Sequence, residues 1–183
     1  GDWASDYIVD GVDYAPLVTI RQILNHTHGF AAYAFDLGFY GQAVQRMETP
    51  FEPEEIVAWG IGRGPQYVPG DGYLYNTVGH VIAGLVIEAV TGLDAHEVMR
   101  ERLFDPVEAD DAYLTPAEFP PNGDVAGYVT GALKSVFDVL PGLADYRAEA
   151  TVGEFFDVTV PPQAVVRSAG WTGGGLEAQA DDG

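Results

Sequence analysis

Few side chains in this sequence are placed to move a proton. Tyr75 is one, because it stands directly ahead of apolar residues at helical spacing: Val78, Ile82, Leu85, Val86, Ala89 and Val90. The free N–H groups and dipole of a helix start favour an anion there, a phenolate included. His26 and His28 are spaced i, i+2, which separates them on a helix and aligns them on an extended segment. With His80 and the plentiful carboxylates they could make a zinc set. No H-E-x-x-H occurs, however, and His96 belongs to a different predicted helix, so no metal or other cofactor is expected. Three serines are present, Ser5, Ser135 and Ser168, none of them in a G-x-S-x-G elbow. A serine hydroxyl is a poor nucleophile until a neighbouring base removes its proton. Without cysteine there is no thiolate nucleophile, no thiolate metal site and no disulfide.

The elements that must hold Tyr75 can be read on both sides of it. Pro69-Gly70-Asp71-Gly72 supplies a proline with fixed φ and two glycines for positive φ, hence a tight turn. The turn delivers a tyrosine expected to be buried, pinned by packing on both sides. Asn76 or Thr77 caps the helix that follows, and Gly92 takes the left-handed position that ends it. Upstream, Thr19 caps a helix with Ile20, Ile23 and Leu24 as its buried stripe and Gly29 as its stop. Residues 1–18 read as a connector whose Trp3, Tyr7 and Ile8 could dock on a core. Residues 30–50, with Tyr33, Phe35, Phe39 and Tyr40, read as a loop with short helical pieces. Pro53, with Glu54 and Glu55 behind it, starts a short helix through Trp59 that Gly60, Gly62 and Gly64-Pro65 end. Asp94 and Glu97 spell a capping box for a helix through Leu103, with Val98 and Leu103 inward and Arg100, Glu101 and Arg102 outward.

Further on, Pro116, Pro120 and Pro121 break the chain into turns and short strands. Leu133, Val136, Phe137 and Leu140 suggest one or two helical turns, and Phe155, Val158 and Val160 an extended piece. With no internal repeat and no linker, residues 1–183 read as a single domain. A length of 183 residues at 47 % hydrophobic content fits such a domain with a real core. The formal net charge is −20, and Lys134 is the one lysine. A surface this acidic repels phosphate backbones, so nucleic acid is not an expected partner. It reads as a solubility adaptation, to high salt for example, with an acidic funnel for cationic ligands as the alternative. No apolar run reaches the roughly 18–20 residues a membrane span needs. No basic-then-apolar leader opens the chain, which therefore reads as processed, cut or made without one.

Several segments resemble a known family. Pro69-Gly70, Tyr73, Tyr75 and Thr91-Gly92 match the form PG-x-x-(aromatic)-x-Y-S-N, ahead of a helix ending in T-G, of the serine β-lactamase and penicillin-binding protein superfamily. Class C β-lactamases, D-alanyl-D-alanine carboxypeptidases and related esterases are the nearest types. Asn76 and Thr77 stand where that family has serine and asparagine. Val18 to Phe30 resembles "I-T-I-R-x-L-L-x-H-T-S-G-L", with His28 in the place of serine. Phe104 to Val107, Asp124 to Tyr128, and Ser168 to Leu176 with Asp181 or Asp182 resemble weaker family stretches.

The resemblance implies an α+β, β-lactamase/transpeptidase-like fold, of which this chain is mainly the helix-rich middle region with few strands. It implies a serine hydrolase that acylates a serine with a β-lactam, a D-Ala-D-Ala peptide or an ester, and an extracytoplasmic location. Tyr75 would be the general base and then the acid toward the leaving group, with a lowered pKa; Thr77 or Asn76 would contact the substrate. Three residues beyond Ser5, Ser135 and Ser168 stand Ile8, Asp138 and Trp171, so none begins S-x-x-K, and no K-T-G or H-T-G occurs. Those parts of the parent fold are expected outside the chain, which alone should be inactive. Two rival readings are a non-catalytic binding or scaffold module of the same fold, and a metal-binding protein using His26, His28 and His80.

Overall fold

The computed structural model describes residues 8–9, 12–13, 15–33, 36, 38–39, 41–42, 46, 49–114, 117–118, 128–130, 151–152, 155–157 and 176–178. The chain gathers into two compact units, Gly1–Asp36 with Glu52–Glu101 and Leu37–Phe51 with Arg102–Gly183.

The first unit opens with a small antiparallel pair, β1 (Ile8–Val9) and β2 (Val12–Asp13), in the register Ile8↔Asp13 and Val9↔Val12. Among the described residues a short 3-10 turn (Ala15–Leu17) and four α-helices follow: α1 (Ile20–Leu24), α2 (Pro53–Ile61), α3 (Thr77–Thr91) and α4 (Ala95–Met99). α3 is the centre, with α1, α2 and α4 packed on it.

A five-residue helix is marginal in water. α1 persists because Thr19 and Gln22 cap it reciprocally: the Thr19 N–H donates to Gln22 Oε1 at 2.8 Å and the Gln22 N–H to Thr19 Oγ1 at 3.3 Å. Its expected stripe contracts to Ile23, since Ile20 and Leu24 are exposed; one turn of helix turns little more than one side chain toward α3. It also stops at Asn25, four residues before Gly29.

α2 begins at Pro53 as expected and runs two residues past Trp59. Gly60 does not end it; that glycine lies inside, where a Cβ would come within 2.9 Å of Val78 Cγ2. The missing side chain lets α2 and α3 approach closely. Gly62 is the C-cap. Arg63, just past it, donates to Asp36 Oδ2 at 2.8 Å and lies over the Trp59 ring at 4.2 Å.

In α3 the cap is Asn76, and Gly92 closes the helix at φ 72°. The apolar stripe holds only over the first half: Val78, Gly79, Val81, Ile82 and Gly84 are buried, whereas Val90 is 80 % exposed. At α4 the expected capping box does not form. Asp94 makes no side-chain cap bond, and Glu88 of α3 instead accepts the Ala95 N–H at 3.0 Å. The helix continues as a π turn over Arg100–Phe104. That wider turn shifts the phase, so Phe104 is buried and Leu103, expected inside, is exposed.

In the second unit β3 (Ala112–Leu114) pairs antiparallel with β7 (Leu176–Ala178). β4 (Tyr128–Thr130), β6 (Phe155–Asp157) and β5 (Thr151–Val152) form an antiparallel sheet in that order. Phe39 is buried and stacks on Phe51 at 4.8 Å, with the Arg46 guanidinium 4.2 Å over the Phe51 ring. Short helical pieces occur at residues 38–39 and 41–42, as expected. The expectations for Trp3, Tyr7, Phe35, Tyr40, Pro116, Pro120, Pro121, residues 133–140, Val158, Val160, the three serines, the glycines at 173–175 and the acids 181–182 lie outside the described residues. The described part is a helix-rich α+β structure with few, short strands.

Candidate functional site

The turn ahead of Tyr75 is built by hydrogen bonding across to residues 26–29. The Asp71 N–H reaches Val68 O at 2.9 Å around Pro69 and Gly70, whose φ of 97° is the left-handed value a type II turn requires. Gly72 has no positive φ. Its role is steric, since a Cβ there would stand 2.9 Å from Tyr67 Cγ, and its absence lets the ring lie on the backbone. Three main-chain bonds tie the two segments: Gln66 N–H to Gly29 O at 2.7 Å, Gly70 N–H to Thr27 O at 2.8 Å and Leu74 N–H to His26 O at 3.1 Å. The Tyr67 hydroxyl donates to the same His26 carbonyl at 3.1 Å, and burial raises its pKa, which keeps it a donor.

This frame delivers Tyr75 to the position just ahead of the α3 cap, but not into the interior. Its side chain is 58 % exposed, and its ring meets that of His26 at 4.7 Å with a tilt of 49°. Packing from both sides, as the sequence suggested, is not what the structure places there, because the residues just before it are drawn toward His26 and leave the phenol outward. The His26 ring also lies 5.0 Å from His80 and edge-on to the exposed Tyr73 at 6.0 Å.

Asn76 is 1 % exposed with both ends of its amide engaged. Its Oδ1 accepts the Val78 N–H at 2.9 Å, and its Nδ2 donates to Phe30 O at 2.6 Å. Thr77 Oγ1 is buried and makes no hydrogen bond.

The histidines do not form the imagined metal set. His28 is 1 % exposed, accepts the Phe30 N–H on Nδ1 at 3.0 Å and stacks on Phe30 at 4.7 Å. With Nδ1 an acceptor, its proton sits on Nε2, which is buried without a partner against Gly79. Burial first, then the neighbouring His26 and His80, lowers its pKa to about 4, so it is neutral at pH 7. His80 is lowered in the same direction by burial and His26. His26 Nδ1 lies 3.2 Å from Asn76 O and 3.3 Å from Asn76 N. Two of the three imidazoles thus spend a ring nitrogen on backbone, which pulls them away from a common point. Among the described residues, the one group bringing three ligand atoms within 4.8 Å of one another is Asp94, His96 and Glu97 at the start of α4. Sequence reasoning took Asp94 and Glu97 for a capping pair and missed that group. The contact of His26 with Tyr75 had no signal in the sequence either, since 48 residues of chain lie between them.

Chemically, the arrangement offers a solvent-facing phenol at the positive end of a 15-residue helix, with an imidazole beside it and a rigid, hydrogen-bonded approach. Among the described residues no single helix is long and apolar enough to cross a membrane.

Comparison with known proteins gives this arrangement its setting. The model of the β-lactamase family matches residues 4–182. A D-stereospecific amidohydrolase from Streptomyces sp. superposes with a TM-score of 0.68 at 21 % identity, over 97 % of this chain and 48 % of its own. For a D-amino acid amidase from Ochrobactrum anthropi SV3, solved with L-phenylalanine amide, the values are 0.67, 22 %, 92 % and 41 %. For a penicillin-binding protein from Bacillus halodurans they are 0.61, 19 %, 98 % and 47 %. The chain therefore spans about half the length, or less, of these solved relatives, and their likeness carries the β-lactamase/transpeptidase-like fold expected from its motifs. On the match of nearly its whole length, the chain belongs to the β-lactamase family.

Proposed function

We propose that Tyr75 is the proton-shuttling base of a serine hydrolase whose nucleophile is not among these 183 residues. The observation that carries the reading is the exposed phenol at the start of α3, aimed at solvent and not packed into the core. In that role the phenolate takes the proton of an attacking serine hydroxyl and then returns it to the leaving group, after which water releases the acyl group. Asn76, with both ends of its amide engaged, serves by holding the helix start. The hydroxyl of Thr77 is unpaired but buried, so the substrate contact proposed for it requires the start of α3 to shift and uncover it. Since the similar structures include a D-stereospecific amidohydrolase and a D-amino acid amidase, we extend the substrate class to D-configured amides, beside β-lactams, D-Ala-D-Ala peptides and esters. An extracytoplasmic location goes with the same reading.

The test is Tyr75→Phe in the full-length protein, assayed with nitrocefin, a p-nitrophenyl ester and a D-amino acid amide. A base of this kind contributes roughly 10²–10⁴-fold, so kcat should fall by that range with KM little changed. A variant as fast as the parent would remove Tyr75 from the chemistry. The 183-residue chain alone should be inert; turnover by it that a serine reagent abolishes would overturn the placement of the nucleophile.

A second reading, a binding or scaffold module that has lost the chemistry, is favoured by Asn76 and Thr77 standing where the family has serine and asparagine. It requires that the full-length protein form no acyl-enzyme with a β-lactam, which intact-mass measurement decides.

A further inference from the structure

The residue before Tyr75 and the residue after it are both fastened to one side chain's residue, His26. Its carbonyl accepts the Leu74 N–H at 3.1 Å, and its Nδ1 lies 3.3 Å from the Asn76 N and 3.2 Å from the Asn76 O. Its ring then fills the side of Tyr75 itself at 4.7 Å. To do all three, His26 sits at φ 62°, the left-handed region that non-glycine residues enter at a cost and that surrounding contacts must hold. The Tyr67 hydroxyl supplies one such contact, donating to the same carbonyl. Behind the ring, His80 lies one turn into α3 at 5.0 Å, so the imidazole is held between the helix and the phenol.

We infer that His26 is the positioning residue for Tyr75: its left-handed backbone and Nδ1 together clamp residues 74 and 76 and set the direction of the phenol between them. It is not itself a catalytic residue, since it acts through Tyr75. The inference rests on the proposed role of Tyr75 for its effect on rate, while the clamp is a structural claim that stands or falls independently of activity.

Two substitutions separate the parts of the clamp. His26→Gly keeps the left-handed backbone free of strain and removes the ring and Nδ1. His26→Asn also tolerates that backbone and offers an amide near the position of Nδ1. Fluorotyrosine introduced at position 75 of the full-length protein reports the ring by 19F NMR. His26→Gly should shift and narrow the Tyr75 resonance and lower kcat at least 10-fold with KM within about 2-fold, a misplacement effect. His26→Asn should restore the resonance and bring kcat to within about 3-fold of the parent.

Should His26→Gly not fold, Tyr67→Phe decides, because it loosens the same carbonyl from outside: the resonance should move part of the way and kcat fall about 2–3-fold. A Tyr75 resonance identical to the parent's in His26→Gly, or in Tyr67→Phe if that variant is the one that folds, overturns the clamp. Equal losses in His26→Gly and His26→Asn overturn the role of Nδ1. A moved resonance with unchanged kcat leaves the clamp standing and instead counts against Tyr75 as the base, which Tyr75→Phe reports separately.

Discussion

His28 is the side chain whose chemistry and position conflict most. Its ring is almost wholly enclosed, and the unpartnered Nε2–H faces Gly79 and not water, so a proton added to Nδ1 would break the bond to Phe30 and leave a charge with nothing to solvate it. Its pKa is accordingly lowered from 6.5 to about 4. Between those values the unfolded chain binds a proton that the folded chain refuses, so the contribution to stability is complete above pH 6.5 and is lost as pH falls through 4. The loss amounts to about 3 kcal/mol. His80, lowered for the same reason, adds to the slope in the same sense. Urea unfolding at a series of pH values should show this acid-side loss. His28→Asn, whose amide oxygen can still accept the Phe30 N–H, should flatten it whatever its stability at pH 8. A curve as steep as the parent's would assign the slope to other groups.

At the level of elements, two glycines of the α3 region do different work and should respond differently. At Gly79 a Cβ would stand 2.8 Å from His28 Nε2 and 2.9 Å from the Ile23 carbonyl oxygen. Gly79→Ala should therefore destabilise by about 1–3 kcal/mol through overpacking, although alanine gains roughly 1 kcal/mol of helix propensity. Gly92 has nothing within 4 Å of a built Cβ but a φ of 72°, so Gly92→Ala should cost about 1 kcal/mol of backbone strain alone. Denaturant midpoints with unchanged slopes would check both.

The N-caps of α1 and α3, the Pro53 start of α2 and the turn at Pro69–Gly70 were legible in the sequence, because capping and turn chemistry act over three or four residues; the Glu52–Glu55 box that caps α2 was not read. Which apolar residues end up inside was less so. Ile20, Leu24 and Val90 sit at inward-looking spacing yet are exposed, because burial is decided by where α1 and α2 cross α3, and that depends on Gly60 and Gly79. The cap of α4 was misread for a similar reason: Glu88 comes from the preceding helix and displaces Asp94. The position of Tyr75 just ahead of a helix start was legible in the sequence, but its exposure and its contact with His26 were not, because that contact spans about fifty residues of sequence.

For the molecule as a whole, the charge of −20 is the dominant long-range term. Self-repulsion among carboxylates opposes compaction, and salt screens it, with a Debye length of about 3 Å at 1 M against 10 Å at 0.1 M. The melting temperature should rise with sodium chloride over that range, and a fall would show that paired charges outweigh repelling ones. The hydrogen-bonded frame around residues 26–29 and 66–74 has a consequence of another kind. Four glycines between positions 62 and 72 make that stretch resemble the pliable loops that proteases cut first. To enter a protease cleft, however, it must peel away from residues 26–29 and carry the tyrosine segment with it, so nicking there is governed by an opening reaction and not by glycine content. Whatever protects the loop from digestion also preserves the aim of the phenol, and the two would be lost together.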